Sequence, residues 1–432
     1  MIGDILTKTT ILMSIISIIL LIVGFVGGYV YGLSASGGQG AASPTPGAGQ
    51  SYIEVPVGIL AALSGSGAVE GSSIANGIIM GIEDVNQFFQ SVGAPIRIKY
   101  FLEDTKTNPD EALKALQKLY QNNGVRIVLG PQFSRELMAV RDFALRNKIL
   151  LLSSYSTSPA LAIAGDTVYR NIGNDAYQGK ALAALLCREG ITKVVIIHRN
   201  DAYGSGLAST LRDNFLKLCG KSVEVISYNP DQPDYASEVK TLSDKVSAFG
   251  ADQSTAVVLI AFETDGANIL GHASKDPVLS KVRWFGSEAT RVPEVLFQTP
   301  EITSFVMKVN FTGTFPTSVT SIRYNEFLAK YRSKYGKDPF PVAANGYDAA
   351  WLIGLALLAT GGKYDDMDKF MKALEEVAKS YYGVTGLNAF DSTGDRLYQD
   401  YSIWRVAMQG GKPVIVDVEI YSSATGSFTP IR

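Results

Sequence analysis

Apolar residues recur along this chain in two alternating rhythms. Short aliphatic runs at 53–60, 96–102, 126–130 and 149–152 have the length and β-branched content of buried strands. Between them the spacing lengthens to the helical period. Ile74, Ile78, Ile82, Val85 and Phe89 fall on one stripe. Ala112, Leu113, Leu116 and Leu119 do the same behind Asn108, an N-cap, and Pro109 at the first helical position. A fifth short strand is expected at 167–170. Strand and helix in alternation predict βαβ units, a parallel sheet and right-handed crossovers.

The rhythm then restarts, with a helix at 178–189, a strand at 193–198 and further strands at 223–227, 256–261 and 282–285. A second lobe built like the first is the expectation. After Val309 the character changes to helices at 321–335, 344–358 and 366–379. From Leu387 the chain alternates like antiparallel strands, with a turn at Gly410-Gly411. The expected division is 52–174 with 312–385 for the first lobe and 175–311 with 386–432 for the second. A length of 432 residues agrees with more than one lobe.

Residues 1–33 read as a membrane anchor or signal segment. No charged residue occurs from Thr9 to Tyr31, and a spanning helix needs roughly 20 apolar residues. A retained transmembrane helix is the expectation and a cleaved signal peptide the rival. Residues 34–51, rich in Gly, Ser, Ala and Pro, read as a flexible linker. The globular part is therefore expected on the extracytoplasmic face of the membrane, or secreted if the segment is cleaved. There Cys187 and Cys219 stand either as a disulfide or as two buried thiols. Asn310-Phe311-Thr312 is a glycosylation sequon.

The polar residues that change this picture sit at strand ends. The first lobe offers a Gly/Ser-rich loop at 61–71 that includes Glu70, then Ser134, then Tyr155, Ser156 and Thr157. The second offers Asp201, Tyr203, Phe262, Glu263 and Glu288. In open α/β sheets ligands sit at that edge. Hydroxyls and N–H groups suit a carboxylate, a carboxylate suits an ammonium, and an α-amino acid carries both.

Other chemistries find little support. The net charge is −2 with both signs scattered, so nucleic acid is not an expected partner. The two histidines, His198 and His272, have no metal-ligand spacing, and no metal or cofactor is expected. No phosphate-binding loop or nucleophile elbow occurs, and no catalytic set is assigned.

Taken in order, these segments resemble the type I periplasmic binding proteins of ABC transporters, the Leu/Ile/Val-binding type above all. The likeness runs from Leu63-Ser64-Gly65 with Gly71 and Asn76-Gly77, through Asp104, Pro109, Gly130, Ser134 and the 153–159 run, to Arg170, Asp175 and Gln178-Gly179. Tyr203-Gly204 with Gly206, Gly286 with Glu288, Gly346-Tyr347-Asp348 and Phe390-Asp391 with Gly394-Asp395 continue it. The resemblance implies two doubly wound parallel-sheet lobes joined by a three-crossing hinge. It also implies capture of an amino acid in the cleft and delivery to ABC permease subunits.

The same resemblance implies roles for single residues. Ser134 and Thr157 would hold the amino-acid end, with Tyr155 and Ser156 in the same loop. Glu288 would pair with the α-ammonium, Tyr203 and Phe262 would wall the pocket, and Asp175 would stand beside the first hinge crossing. Glu70 departs from the pattern, because amino-acid-binding relatives often carry an apolar or aromatic residue there. It would pair with Arg291 or face a polar or cationic ligand group, which puts branched-chain specificity in doubt. A membrane-tethered sensory receptor domain on the same fold is the alternative reading.

Overall fold

Buried strand followed by amphipathic helix is also the plan of the three-dimensional chain. The computed structural model describes residues 52–317 and 321–431. The expected membrane segment and linker lie outside the described residues. Among those residues no helix is long and apolar enough to cross a membrane.

In the first lobe β1 (Ile53–Ala61), β2 (Ile96–Asp104), β3 (Ile127–Leu129), β4 (Leu150–Ser153) and β5 (Val168–Arg170) form one parallel sheet in the order β2-β1-β3-β4-β5. The inner strands β1, β3 and β4 are largely aliphatic because helices cover both faces, while edge strand β2 carries Arg97, Lys99, Glu103 and Asp104. These helices are α1 (Ala68–Ser91), α2 (Pro109–Asn123) and α3 (Ser134–Arg146). Asn108 caps α2 as expected, its side chain accepting from the Asp110 and Glu111 N–H groups. The expected 61–71 loop is shorter than its composition suggested. Helix α1 already starts at Ala68, so Glu70 lies in its first turn, where a carboxylate complements the helix dipole.

The second lobe begins with α4 (Asp175–Arg188), β6 (Lys193–Arg199), α5 (Ala202–Leu218), β7 (Ser222–Tyr228), α6 (Ala236–Phe249) and β8 (Thr255–Ile260). It continues through α7 (Glu263–Ala273), β9 (Arg283–Gly286), α8 (Pro293–Leu296), α9 (Pro300–Lys308) and β10 (Thr312–Pro316). Strands β7-β6-β8-β9-β10 are parallel neighbours. Cys187 at the end of α4 is disulfide-bonded to Cys219 after α5.

Helices α10 (Ile322–Tyr335), α11 (Ala343–Ala359) and α12 (Met367–Ala378) return to the first lobe. Helix α11 lies against α1 so closely that a Cβ at Gly77 would come within 2.1 Å of the Ala343 carbonyl oxygen. After the two-residue strands β11 (Tyr382–Gly383) and β12 (Gly386–Leu387), the chain crosses again. The hairpin β13 (Tyr401–Gln409) and β14 (Lys412–Tyr421), with β15 (Phe428–Pro430), adds antiparallel strands beside β10.

Two lobe boundaries shift against expectation. Thr312–Pro316 pairs with β9 and β13, so it belongs to the second sheet and the return begins after Pro316. Residues 388–396 are not strands of the second lobe. Asp395 bridges to Arg170, and Asn388 donates to Asp348 of α11, which holds this stretch on the first lobe. Asp391, accepting from the Thr393 and Asp395 N–H groups, makes the turn that alternation alone did not announce.

Candidate ligand-binding site

The strand order reverses between β1 and β3 in the first lobe and between β6 and β8 in the second, the places where open sheets leave a crevice. Here the loops beyond those strands meet. Phe133, after β3, packs on Phe262, after β8, with ring centroids 4.8 Å apart. Ser158 Oγ, after β4, donates to the Ala202 carbonyl at 2.7 Å. Arg135 pairs with Asp231 at 3.2 Å. The lobes are closed on one another.

The wall from the first lobe is the 153–158 loop. Ser134 Oγ, at the start of α3, accepts from Ser156 Oγ (3.1 Å) and from the Thr157 and Ser158 N–H groups (3.3 and 3.2 Å). Behind the loop, buried Arg170 donates to the Ser156 and Ser158 carbonyls while its other face makes a paired contact with Asp395 at 2.6 Å. The loop carbonyls are thus engaged by Arg170, and its hydroxyls by Ser134, Asp175 and the Ala202 carbonyl. Thr157 Oγ1 donates to Asp175 Oδ2 at 3.0 Å, at the crossing into α4.

The opposite wall comes from β6, β8 and β9. Tyr203 and Phe262 stack with centroids 5.4 Å apart, and the Tyr203 hydroxyl donates to Ser287 Oγ at 2.8 Å. The Arg199 guanidinium lies 3.5 Å over the far side of Phe262, held there by Asp201 and Asp265. Glu288 follows Ser287 and is buried.

Ser134, Tyr155, Ser156, Thr157, Asp175, Tyr203, Phe262, Glu288 and Glu70 are all buried. The Ser134–Thr157–Asp175 bonds and the Phe133–Phe262–Tyr203 ring contacts bring residues of both lobes to one cleft. The Tyr155 hydroxyl feels the charges of Glu288, Glu70 and Asp175 together. The alternative partner for Glu70 is not used, because Arg291 pairs with Asp417 at 2.8 Å.

Burial dominates the electrostatics. It pushes the Glu70 carboxyl up to about 8 and the Glu288 carboxyl up to about 7. Asp175 is raised as well, first by burial and then by the nearby charge of Glu288. Among the described residues, both Glu70 oxygens, Glu288 Oε2, Asp175 Oδ1 and the Tyr155 hydroxyl have no hydrogen-bond partner. No group of three or more His, Cys, Asp or Glu among them could hold a metal ion. Such a site favours a ligand that brings N–H donors and positive charge.

Sequence reasoning missed Phe133 and Phe340 as site residues. Both meet the Tyr155 ring edge-on, at 5.8 and 5.6 Å. Phe133 stood one residue before Ser134 and was within reach of the pattern. Phe340 lies in an irregular stretch with no periodicity to mark it. Asn310 of the sequon is exposed, while Thr312 is fully buried in β10.

A family model described as periplasmic binding protein matches residues 54–412. An uncharacterized protein of Methanocaldococcus jannaschii is 29% identical over 390 residues, which covers 86% of this chain and 90% of that protein. Leu/Ile/Val-binding protein homolog 3 of Brucella melitensis is 25% identical over 208 residues, 47% of this chain and 56% of that protein. Among solved structures, a solute-binding protein of an ABC transporter from Rhodopseudomonas palustris, in complex with 3,4-dihydroxybenzoic acid, shares the fold. Its TM-score is 0.71 at 20% identity, covering 86% of this chain and 98% of that one.

Proposed function

The chain belongs to the type I periplasmic binding proteins, the family of the Leu/Ile/Val-binding proteins, and on that premise we propose that it captures an amino acid between its lobes for an ABC importer. The ligand's carboxylate lies at the Ser134, Tyr155 and Thr157 loop, and its ammonium lies at Glu288. The permease receives it from the closed protein. Residues 1–33 hold the protein at the extracytoplasmic face of the membrane. The Cys187–Cys219 bridge supports an oxidising compartment.

One observation carries the reading. The Tyr155 hydroxyl of one lobe and Glu288 Oε2 of the other are both buried without a partner among the described residues, and the Glu288 charge acts on that hydroxyl. Contact from both sides exists only when the lobes are shut, so such a ligand selects the closed state. The fold is shared by a solute-binding protein solved with 3,4-dihydroxybenzoic acid. A benzoate brings no N–H donor to the Glu288 and Asp175 oxygens that lack partners, which speaks for an amino acid here.

Calorimetry with Glu288→Gln tests the assignment. An α-amino acid is expected to lose about tenfold or more in affinity, while the matching acid without its amino group changes little. Equal losses for both would remove Glu288 from ammonium recognition.

A further inference from the structure

The amino-acid reading leaves Glu70 without a task. Glu70 and Ser73 lie three residues apart on α1 and share one side of the helix, and Gly67 is its N-cap. Gly67 is flat against Phe133, since a Cβ there would come within 2.2 Å of that ring. Ser73 Oγ accepts from the Phe340 N–H at 2.8 Å. Tyr155 touches both of those aromatic rings. Glu70, between Gly67 and Ser73, is thereby held at the Tyr155 end of the cleft. It is fully buried, and neither of its oxygens has a partner among the described residues.

The arginines of the second lobe and hinge that flank the cleft are engaged elsewhere. Arg291 is engaged by Asp417, Arg170 by Asp395, and Arg199 by Asp201 and Asp265. The charged groups that act on Glu70 across the cleft are Glu263, Glu294 and Asp265, all of its own sign. Glu70, Asp175 and Glu288 do not converge on a single ion, since they form no metal-holding group. Separate buried carboxyls with aromatic faces between them suit a ligand with two separate positive centres.

We propose that the ligand is a basic amino acid, with its α-ammonium at Glu288 and its side-chain ammonium or guanidinium at Glu70, an assignment that rests on the amino-acid reading above. An aliphatic side chain would be buried against a carboxyl that it cannot satisfy. A second cation instead supplies the N–H donors that Glu70 lacks.

Calorimetry on the full-length protein with L-arginine, L-lysine, L-leucine and benzoate separates the two levels of the claim. L-arginine or L-lysine is expected to bind about tenfold or more tighter than L-leucine, and Glu70→Gln to abolish the preference. L-leucine binding as tightly as both basic amino acids overturns the proposal and leaves the amino-acid reading standing. Binding of no amino acid, with or without benzoate, overturns both. If Glu70→Gln does not fold, the unaltered protein still decides. In buffers of differing ionisation enthalpy at pH 7, L-arginine is expected to release more protons than L-leucine, because it forces Glu70 to ionise. Equal release by the two overturns the proposal.

Discussion

Thr157 Oγ1 donates to Asp175 Oδ2 at 3.0 Å, and the Asp175 N–H returns a bond to the Thr157 carbonyl at 2.8 Å. This reciprocal pair ties the cleft loop to the first residue of α4, where the chain leaves the first lobe. Among the described residues its side-chain half is the one hydrogen bond to the Asp175 carboxyl, which is buried beside Glu288 and whose other oxygen has no partner. Thr157→Val keeps the shape and removes the donor. It is expected to cost about 1–3 kcal/mol in denaturant unfolding, with Thr157→Ser recovering most of it. A valine variant as stable as the parent would show that the bond contributes nothing.

Closure has contacts of its own, apart from any ligand. Arg135 reaches Asp231 across the cleft at 3.2 Å while its other nitrogen donates to the Thr107 carbonyl. Asp231 is largely exposed, so the pair is worth at most about 1 kcal/mol. Arg135→Ala should therefore weaken ligand binding by up to about fivefold at low salt. The gap should narrow at high ionic strength, where the parent pair is screened. Calorimetry at two salt concentrations checks this, and a ratio independent of salt would count against the pair.

The Cys187–Cys219 bridge joins α4 to the end of α5 across a sequence separation of 32 residues. Replacing both by Ser is expected to lower unfolding free energy by about 2–4 kcal/mol. Cys187 lies roughly 18 Å along α4 from Asp175 at 1.5 Å per residue, so ligand affinity should be unchanged. A double variant that binds more weakly would reveal coupling between the bridge and the hinge.

Most of this architecture was legible because buried parallel strands and amphipathic helices leave different periods. The strands at 53–61 and 193–199, the Asn108 cap and the Gly410-Gly411 hairpin all follow from local pattern. What pattern could not supply was pairing between distant segments. Thr312–Pro316 reads equally well in either lobe until β13 is placed beside it. Residues 388–396 alternate in polarity like strands, yet side chains of Asp391 and Asp395 hold them as turns on the first lobe. For the site, strand-end hydroxyls and Glu288 were readable. The engagement of Arg291 by Asp417 was not, because 126 residues separate them.

Acidity provides a final measurement on the buried carboxyls. Glu70 is raised to about 8, Glu288 and Glu136 to about 7, and Asp175 and Asp348 are also raised, in each case first by burial. A folded-state value above the unfolded one means that the native protein holds protons the unfolded chain has shed. The stability this confers is complete below about pH 4 and is lost as pH rises toward 8. Opposing effects fall elsewhere. The buried His198, lowered first by burial, costs stability only on the acid side of its ordinary range. The exposed, lowered Asp252 acts only at still lower pH. Without ligand, the melting temperature should therefore fall from pH 6.5 to pH 8 at constant ionic strength. Glu70→Gln cannot ionise, so its decline should be shallower and its advantage over the parent greatest at pH 8. Parallel curves for the two proteins would mean that Glu70 titrates as an ordinary solvated carboxyl.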